Sequence, residues 1–293
     1  MKTSILLKPA YIPCGAAIMG LVAWAAPATA DVTAKVEGEF QINFSPMISP
    51  VVVSTTAGTF FEELGADVTA LAEAAADFTS VPPQNALAEA KIHTDVEGGK
   101  PSFFGEAGSL ATTSGLFLVE AGEEFYFDFR FDLNLEIGID DPTFEMAKAI
   151  AEAGLFLSSQ ASDDLDISSL NPEEIEALFN QDNYNPLDNF LVSAELSSSN
   201  KSFFSFSSTP TFSFGQTKIK EDFDGLNQQL IFDIGGTYRK TFSEATLVKF
   251  ESAFLGSRVS VQAVPAPSFL WGIVLIGVVG LSSKLKAQCQ KLI

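Results

Sequence analysis

Histidine occurs once in the chain, at His93, so a histidine-based catalytic triad has a single candidate base and a histidine-rich metal site has none. His93 stands in the polar stretch 91–100, where an ordinary surface residue is the plainer reading; a catalytic base needs neighbours that tune its pKa. The two cysteines, Cys14 and Cys289, lie close to the two ends. Removal of a leader would leave residues 31–263 without a thiol, which excludes thiol catalysis and zinc–thiolate sites there. A segment of about 233 residues buries a sizeable core without disulfides. Both tryptophans, Trp24 and Trp271, also fall outside that segment, leaving Tyr126, Tyr184 and Tyr238 as its amphipathic aromatics. Sugar-binding clefts favour such platforms, so their scarcity makes a carbohydrate-active enzyme the lesser alternative. No G-x-S-x-G elbow, H-E-x-x-H helix or G-x-x-x-x-G-K-[ST] loop occurs.

Acidic residues are absent before Asp31 and after Val264. All 37 therefore lie in residues 31–263, against 12 of the 17 basic residues, a formal charge of −25. Such a surface repels nucleic acid and attracts cations, and nucleic acid is excluded as a partner. The ends, which carry basic but no acidic residues, have their own patterns. Lys2 and Lys8 precede an apolar stretch over 12–26, and Ala28-Thr29-Ala30 matches the small-residue pattern cut by signal peptidase. This predicts a signal peptide over 1–30 and a mature chain from Asp31. Cys14 does not make a lipoprotein signal, because Pro13 precedes it and the apolar stretch follows it. At the other end come Val264-Pro265-Ala266-Pro267, an apolar segment over 268–283, and a tail over 284–293 with Lys284, Lys286 and Lys291. The segment is at the short end of what spans a bilayer. The lysines behind it predict one transmembrane helix with residues 31–263 outside the cytoplasm.

That tail resembles the PEP-CTERM sorting signal of bacterial, notably cyanobacterial, surface proteins: a short proline motif (Val264, Pro265, Pro267), a hydrophobic helix and a basic cluster (Lys284, Lys286). Ala266 replaces the usual acidic residue, and spaced lysines replace an arginine cluster. The strand pattern over 123–137 followed by Asp140-Asp141-Pro142 is also similar to domains found on such tails. The resemblance implies recognition by an exosortase-like enzyme, transient anchoring in the inner membrane, and a place at the cell surface in exopolysaccharide or biofilm systems. It implies no enzymatic activity.

Between the ends, residues 125–137 alternate Phe125, Phe127, Phe129, Phe131, Leu133, Leu135 and Ile137 with polar side chains, the period of a half-buried strand. Weaker alternation marks 34–44 and 230–238, and further strands are expected at 115–120, 190–197, 202–207, 211–214, 245–254 and 258–263. Helices are expected over 60–78, rich in Ala, Leu and Glu, over 142–156, and over 171–179, where Asn171 and Pro172 form a start signal. The expected fold is mainly β: an antiparallel β-sandwich of jelly-roll or Greek-key type with a few short helices, a barrel being the alternative. Residues 31–263 form one acidic domain.

Oxygen donors crowd 163–189. Asp163, Asp164 and Asp166 are candidate calcium ligands, although an EF-hand loop fails because Ser169 and Ile175 occupy its glycine and glutamate places. Asp128, Arg130, Asp132 and Glu136 read as cross-strand charge pairs on a solvent face. The expectation is a non-enzymatic surface or matrix protein with no cofactor beyond possible calcium, whose partners are signal peptidase, the sorting enzyme, the membrane and exopolysaccharide. The alternatives are a carboxylate-dependent polysaccharide hydrolase or lyase, which needs only two suitably spaced acids, and a calcium- or carbohydrate-binding module.

Overall fold

The computed structural model describes residues 32–263, apart from 46–49, 66, 81–85, 100–102, 141, 143–144, 162–169 and 180–183. The elements run β1 (Val32–Phe44), β2 (Pro50–Gly65), β3 (Val68–Ser80), β4 (Ala86–Gly98), β5 (Phe103–Val119), β6 (Glu124–Ile139) and β7 (Glu145–Ala161). Then follow α1 (Pro172–Phe179), β8 (Asn185–Ser197), β9 (Phe203–Ser208), β10 (Phe212–Asp222), β11 (Asn227–Thr241) and β12 (Thr246–Ala263). The strands form two six-stranded antiparallel sheets, A in the order β10-β11-β6-β1-β4-β3 and B in the order β2-β5-β12-β7-β8-β9. Only the β3–β4, β7–β8, β8–β9 and β10–β11 connections stay within one sheet. The inner faces share one core.

Period-two patterning sends alternate residues of each strand into that core. In β6 all seven alternating apolar residues from Phe125 to Ile137 are buried. Other inward positions are small: Ala86, Ala88 and Ala90 on β4, Ala107 and Ala111 on β5, and Ala147, Ala149, Ala151 and Ala153 on β7 are buried. Small inward residues let β3 and β4 bring Cα atoms within 8 Å of β5 and β12, closer than the roughly 10 Å usual between sheets. Toward β8–β9 and β10–β11, phenylalanines fill the space instead. The Phe204 and Phe232 ring centroids lie 4.9 Å apart and those of Phe206 and Phe214 5.7 Å. The sandwich is thus a wedge, thin at the alanine edge and propped open by rings at the other.

Two expected helices are strands. Residues 60–78 belong to β2 and β3, reversed through Gly65, with φ 113°, and Asp67, with φ 62°. Residues 142–156 feed β7. Alanine favours helix in isolated peptides, but Ala70, Ala72, Ala74 and Ala76 recur at period two, and their common face packs on the core. Burial of that face outweighs an intrinsic preference of a few tenths of a kcal/mol per residue. The third expected helix is α1. Asn171 Oδ1 accepts hydrogen bonds from the amides of Glu173 and Glu174 at 3.0 Å, and the Asn171 amide donates to Glu174 Oε2 at 2.9 Å, a reciprocal cap. The two strands expected at 245–254 and 258–263 are one strand, β12, whose register shifts between Phe254 and Ser257. β4 was not foreseen.

Val32 pairs with Gly98 and Ile139, and Ala263 with Phe103 and Glu145. Because Gly98 and Phe103 are joined by a short connection, as are Ile139 and Glu145, both ends of the folded body emerge at one pole. Each does so from a strand in the interior of its sheet, β1 in A and β12 in B. The turn 120–123 and α1 lie toward the other pole. The segments expected to be signal and anchor, 1–30 and 264–293, lie outside the described residues. Among the described residues no helix is long and apolar enough to cross a membrane.

Gly38 occupies an inward place on β1, where a Cβ would stand 2.4 Å from the Phe254 ring on β12. Gly38→Val is expected to cost about 1–3 kcal/mol in urea unfolding, the usual penalty of overpacking. Gly256→Ala, with nothing within 4 Å, serves as the near-neutral control.

Candidate functional site

The outward positions of sheet A align in rows across its strands. One row is Glu73, His93, Glu37, Asn134, Ile231 and Lys220; the next is Ala75, Lys91, Glu39, Asp132, Asp233 and Lys218. All of them except Asp233, Lys218 and Lys220 line a groove of about 820 Å3 whose walls carry the carboxylates of Glu37, Glu39, Glu73 and Asp132 and whose apolar lining includes Ala75 and Ile231. β1, β4 and β6 hold these side chains out because their other faces are fixed in the core.

Charge in the groove is ordered. Lys35 Nζ lies 2.9 Å from Glu37 Oε1, and His93 Nδ1 3.2 Å from the same oxygen. Burial alone would raise the Glu37 carboxyl, but the Lys35 hydrogen bond and charge, with His93, hold it below its ordinary value. Lys91 bridges Glu39 at 3.1 Å and Glu89 at 3.7 Å, and its bond to Glu39 raises its pKa. Arg130 Nε lies 2.9 Å from Asp132, and its Nη2 3.6 Å from Asp233 on β11. Asp132 and Asp233 stand directly opposite one another, so burial first and the Asp233 charge next push Asp132 above the usual carboxylate range. Burial and then Glu97 do the same to Asp95. Gln229 Nε2 and Asn134 Nδ2 both donate to Glu136 Oε1, at 2.7 and 3.1 Å. Asn134 Oδ1 is buried without a hydrogen-bond partner among the described residues. The surface therefore offers acceptors to hydroxyls and cations over several rows, with ammonium and guanidinium groups between them.

A second constellation lies toward the far pole between the sheets. Asp188, buried on β8, accepts hydrogen bonds from Tyr238 Oη at 2.7 Å, Thr211 Oγ1 at 2.7 Å and Lys240 Nζ at 3.2 Å. Burial alone would raise Asp188; these donors hold it below its ordinary value. Tyr238 is driven far up by burial and by its bond to Asp188. Near the other pole, Thr94, Ser109 and Ser257 form a buried triangle of hydroxyls with sides of 2.7 to 2.9 Å. Three hydroxyls without a base satisfy one another and pin β4 of sheet A to β5 and β12 of sheet B.

The expected site residues fall unevenly. Ala28, Ala30, Val264, Pro265, Pro267, Lys284 and Lys286 lie outside the described residues, as do Asp163, Asp164 and Asp166. Asn171 caps α1, and Asp188, one of the crowded oxygen donors, is held by Tyr238. Among the described residues no group of three or more His, Cys, Asp or Glu is arranged to hold a metal ion. Of the four charges expected to pair on a solvent face, Arg130 pairs across strands with Asp233, while Asp132 opposes a like charge. Glu37, Glu39, Lys91 and Asp233 were missed. The signal for β4 was the run Ala86, Ala88, Ala90, Ile92, interleaved with Glu89, Lys91 and His93. The chain matches no protein-family model, no curated protein and no solved structure.

Because the folded-state pKa of Asp188 lies below the unfolded value near 4, its contribution to stability is complete above that value and is lost as the pH falls through the folded one. Asp188→Asn should thus cost more in urea unfolding at pH 7 than at pH 2. Tyr238→Phe, which removes one donor from a buried carboxylate, should cost about 1–3 kcal/mol at pH 7. For Asp132 the sign is reversed: its raised pKa makes stability fall as the pH rises from about 4 through the folded value. Asp233→Asn should move the Asp132 titration down, as read by carboxyl carbon chemical shifts.

Proposed function

We propose that the chain is an exported, membrane-sorted surface protein whose acidic sandwich is a non-enzymatic unit of the cell envelope or extracellular matrix. The carrying observation is that Val32 and Ala263, the described residues nearest the expected leader and anchor, lie at one pole of the body. In this reading signal peptidase cuts after Ala30. The proline motif from Val264, the span 268–283 and the lysines beyond it then hold the chain at the inner membrane for an exosortase-like enzyme. The sandwich stands outside with the pole carrying α1 facing away, and its sheet connections are of the jelly-roll kind.

The groove on sheet A is the surface through which this unit meets envelope polysaccharide. Its carboxylates, amides and ammonium groups exchange hydrogen bonds with hydroxyls, and its carboxylates attract the cations that accompany an acidic polymer. The nearest outward tyrosine, Tyr126, lies on β6 toward the far pole and carries the Arg239 guanidinium over its ring at 4.4 Å. Without an aromatic platform each contact is individually weak, and attachment relies on many copies acting together.

Intact mass and terminal sequencing of the protein recovered from its native envelope test the sorting. The expected chain begins at Asp31 and ends near Pro267. A chain that still carries Lys284 and the residues beyond it would make the protein an unprocessed single-pass membrane protein and remove the sorting enzyme from the account.

A further inference from the structure

Edge strands of natural sheets are ordinarily guarded by charge, proline, bulges or brevity, because their free amides and carbonyls accept another strand. Three of the four edges here are guarded. β3 carries Glu73 and Asp77, β10 carries Lys218, Lys220, Glu221 and Asp222, and β9 has six residues. β2 differs. It is 16 residues long, its hydrogen-bonded neighbour is β5, and among the described residues no strand pairs with its other edge. From residue 50 to residue 61 it has no charged side chain, and Val, Thr and Phe dominate. It is exposed on both faces along most of its length; Phe61, on the side turned toward sheet A, is 65 % exposed, and Phe60 and Leu64 are also in water.

Charge decides what can lie against this edge. The body carries −25, so two copies repel wherever their ordinary surfaces meet. The stretch 52–60 has no charge and is balanced about Thr56: Val52 faces Phe60, Val53 faces Thr59, Ser54 faces Gly58 and Thr55 faces Ala57 when the strand is laid antiparallel on itself. Glu62 and Glu63 then fall beyond the paired stretch rather than against each other. We propose that β2 of one copy pairs antiparallel with β2 of a second copy about a two-fold axis at Thr56, joining two six-stranded sheets into one of twelve. Such an interface is isologous and closes on itself, so it yields a dimer and not a fibre. The inference goes beyond the surface-protein reading and does not depend on how residues 264–293 are processed.

Cysteine cross-linking of the full-length chain in detergent micelles, with Cys14→Ser and Cys289→Ser as background, tests the register. On the axis the two Thr56 Cα atoms would be about 4.5–5.5 Å apart, within disulfide reach. Thr56→Cys should therefore form a covalent dimer under mild oxidation. Ser54→Cys alone should not, since its two copies would lie about 13 Å apart along the strands. A mixture of Ser54→Cys and Gly58→Cys chains should cross-link. Thr56→Lys, which places two ammonium groups on the axis at an exposed position, should sediment as a monomer with an unchanged circular dichroism spectrum, where the parent sediments as a dimer. Cross-linking of Thr56→Cys no faster than that of the exposed Leu226→Cys would overturn the proposal. So would equal sedimented masses for the parent and Thr56→Lys, whether both are monomers or both are held together by the apolar tail.

Discussion

Large rings set against small residues across the gap between two sheets govern everything else in this molecule. Phe254 reaches from β12 into the place a side chain at Gly38 would take, and Phe103 lies where a side chain at Gly98 would be. Along β6 the phenylalanines meet rings of sheet B instead, Phe127 lying 5.9 Å from Phe250 and Phe131 5.7 Å from Phe254 between ring centroids. Where both sheets contribute small residues they close together; where both contribute phenylalanine they stand apart. Close packing at crystal-like density tolerates little change in either direction. The wedge shape is a direct result of where the alanines and phenylalanines were placed in the chain.

Polar groups then fix what the apolar contacts leave free. Two sheets held only by rings and methyl groups could slide by small amounts at little cost. The hydroxyl triangle of Thr94, Ser109 and Ser257, the Thr113–Ser252 pair at 2.6 Å within sheet B, and Asp188 with Tyr238 and Thr211 each carry directional bonds into the core. Asp188 and the hydroxyl triangle lie toward opposite poles and both join the two sheets. Because buried polar groups lose much when unpaired, these bonds hold the sheets in one alignment. That alignment keeps the outward rows of sheet A in register and so shapes the groove.

How much of this could be read from the residues depended on side-chain size. β6 was legible because alternating phenylalanine and charge has only one periodic reading. The end of β2, β3 and β7 were misread as helix because alanine, glutamate and leucine score well in helices, and the deciding feature in β3 and β7, alanine at every second place, matters only once the other sheet exists to cover it. β4 escaped notice for the same reason. The groove was half visible: Asp132 and Arg130 stood on a recognised strand, but Asp233, whose charge adds to burial in raising the Asp132 pKa, comes from β11, paired to β6 through a register no local pattern encodes. Asp188 illustrates the converse. Among many acidic residues it looked like one more solvated carboxylate, and only the fold brings Tyr238, 50 residues away, to its side.

The two chain ends also decide how the body bears load. Ala263 terminates β12, which is paired along nearly its full length with β5 on one side and β7 on the other. A pull on the chain beyond Ala263 acts along the axis of that strand, so both ladders of hydrogen bonds are loaded together in shear and none can be peeled one at a time. β1 is flanked in the same way by β4 and β6, and a pull at Val32 meets the same resistance. A body gripped elsewhere and tugged by either terminus is therefore mechanically strong in the direction in which a tethered particle is dragged by flow.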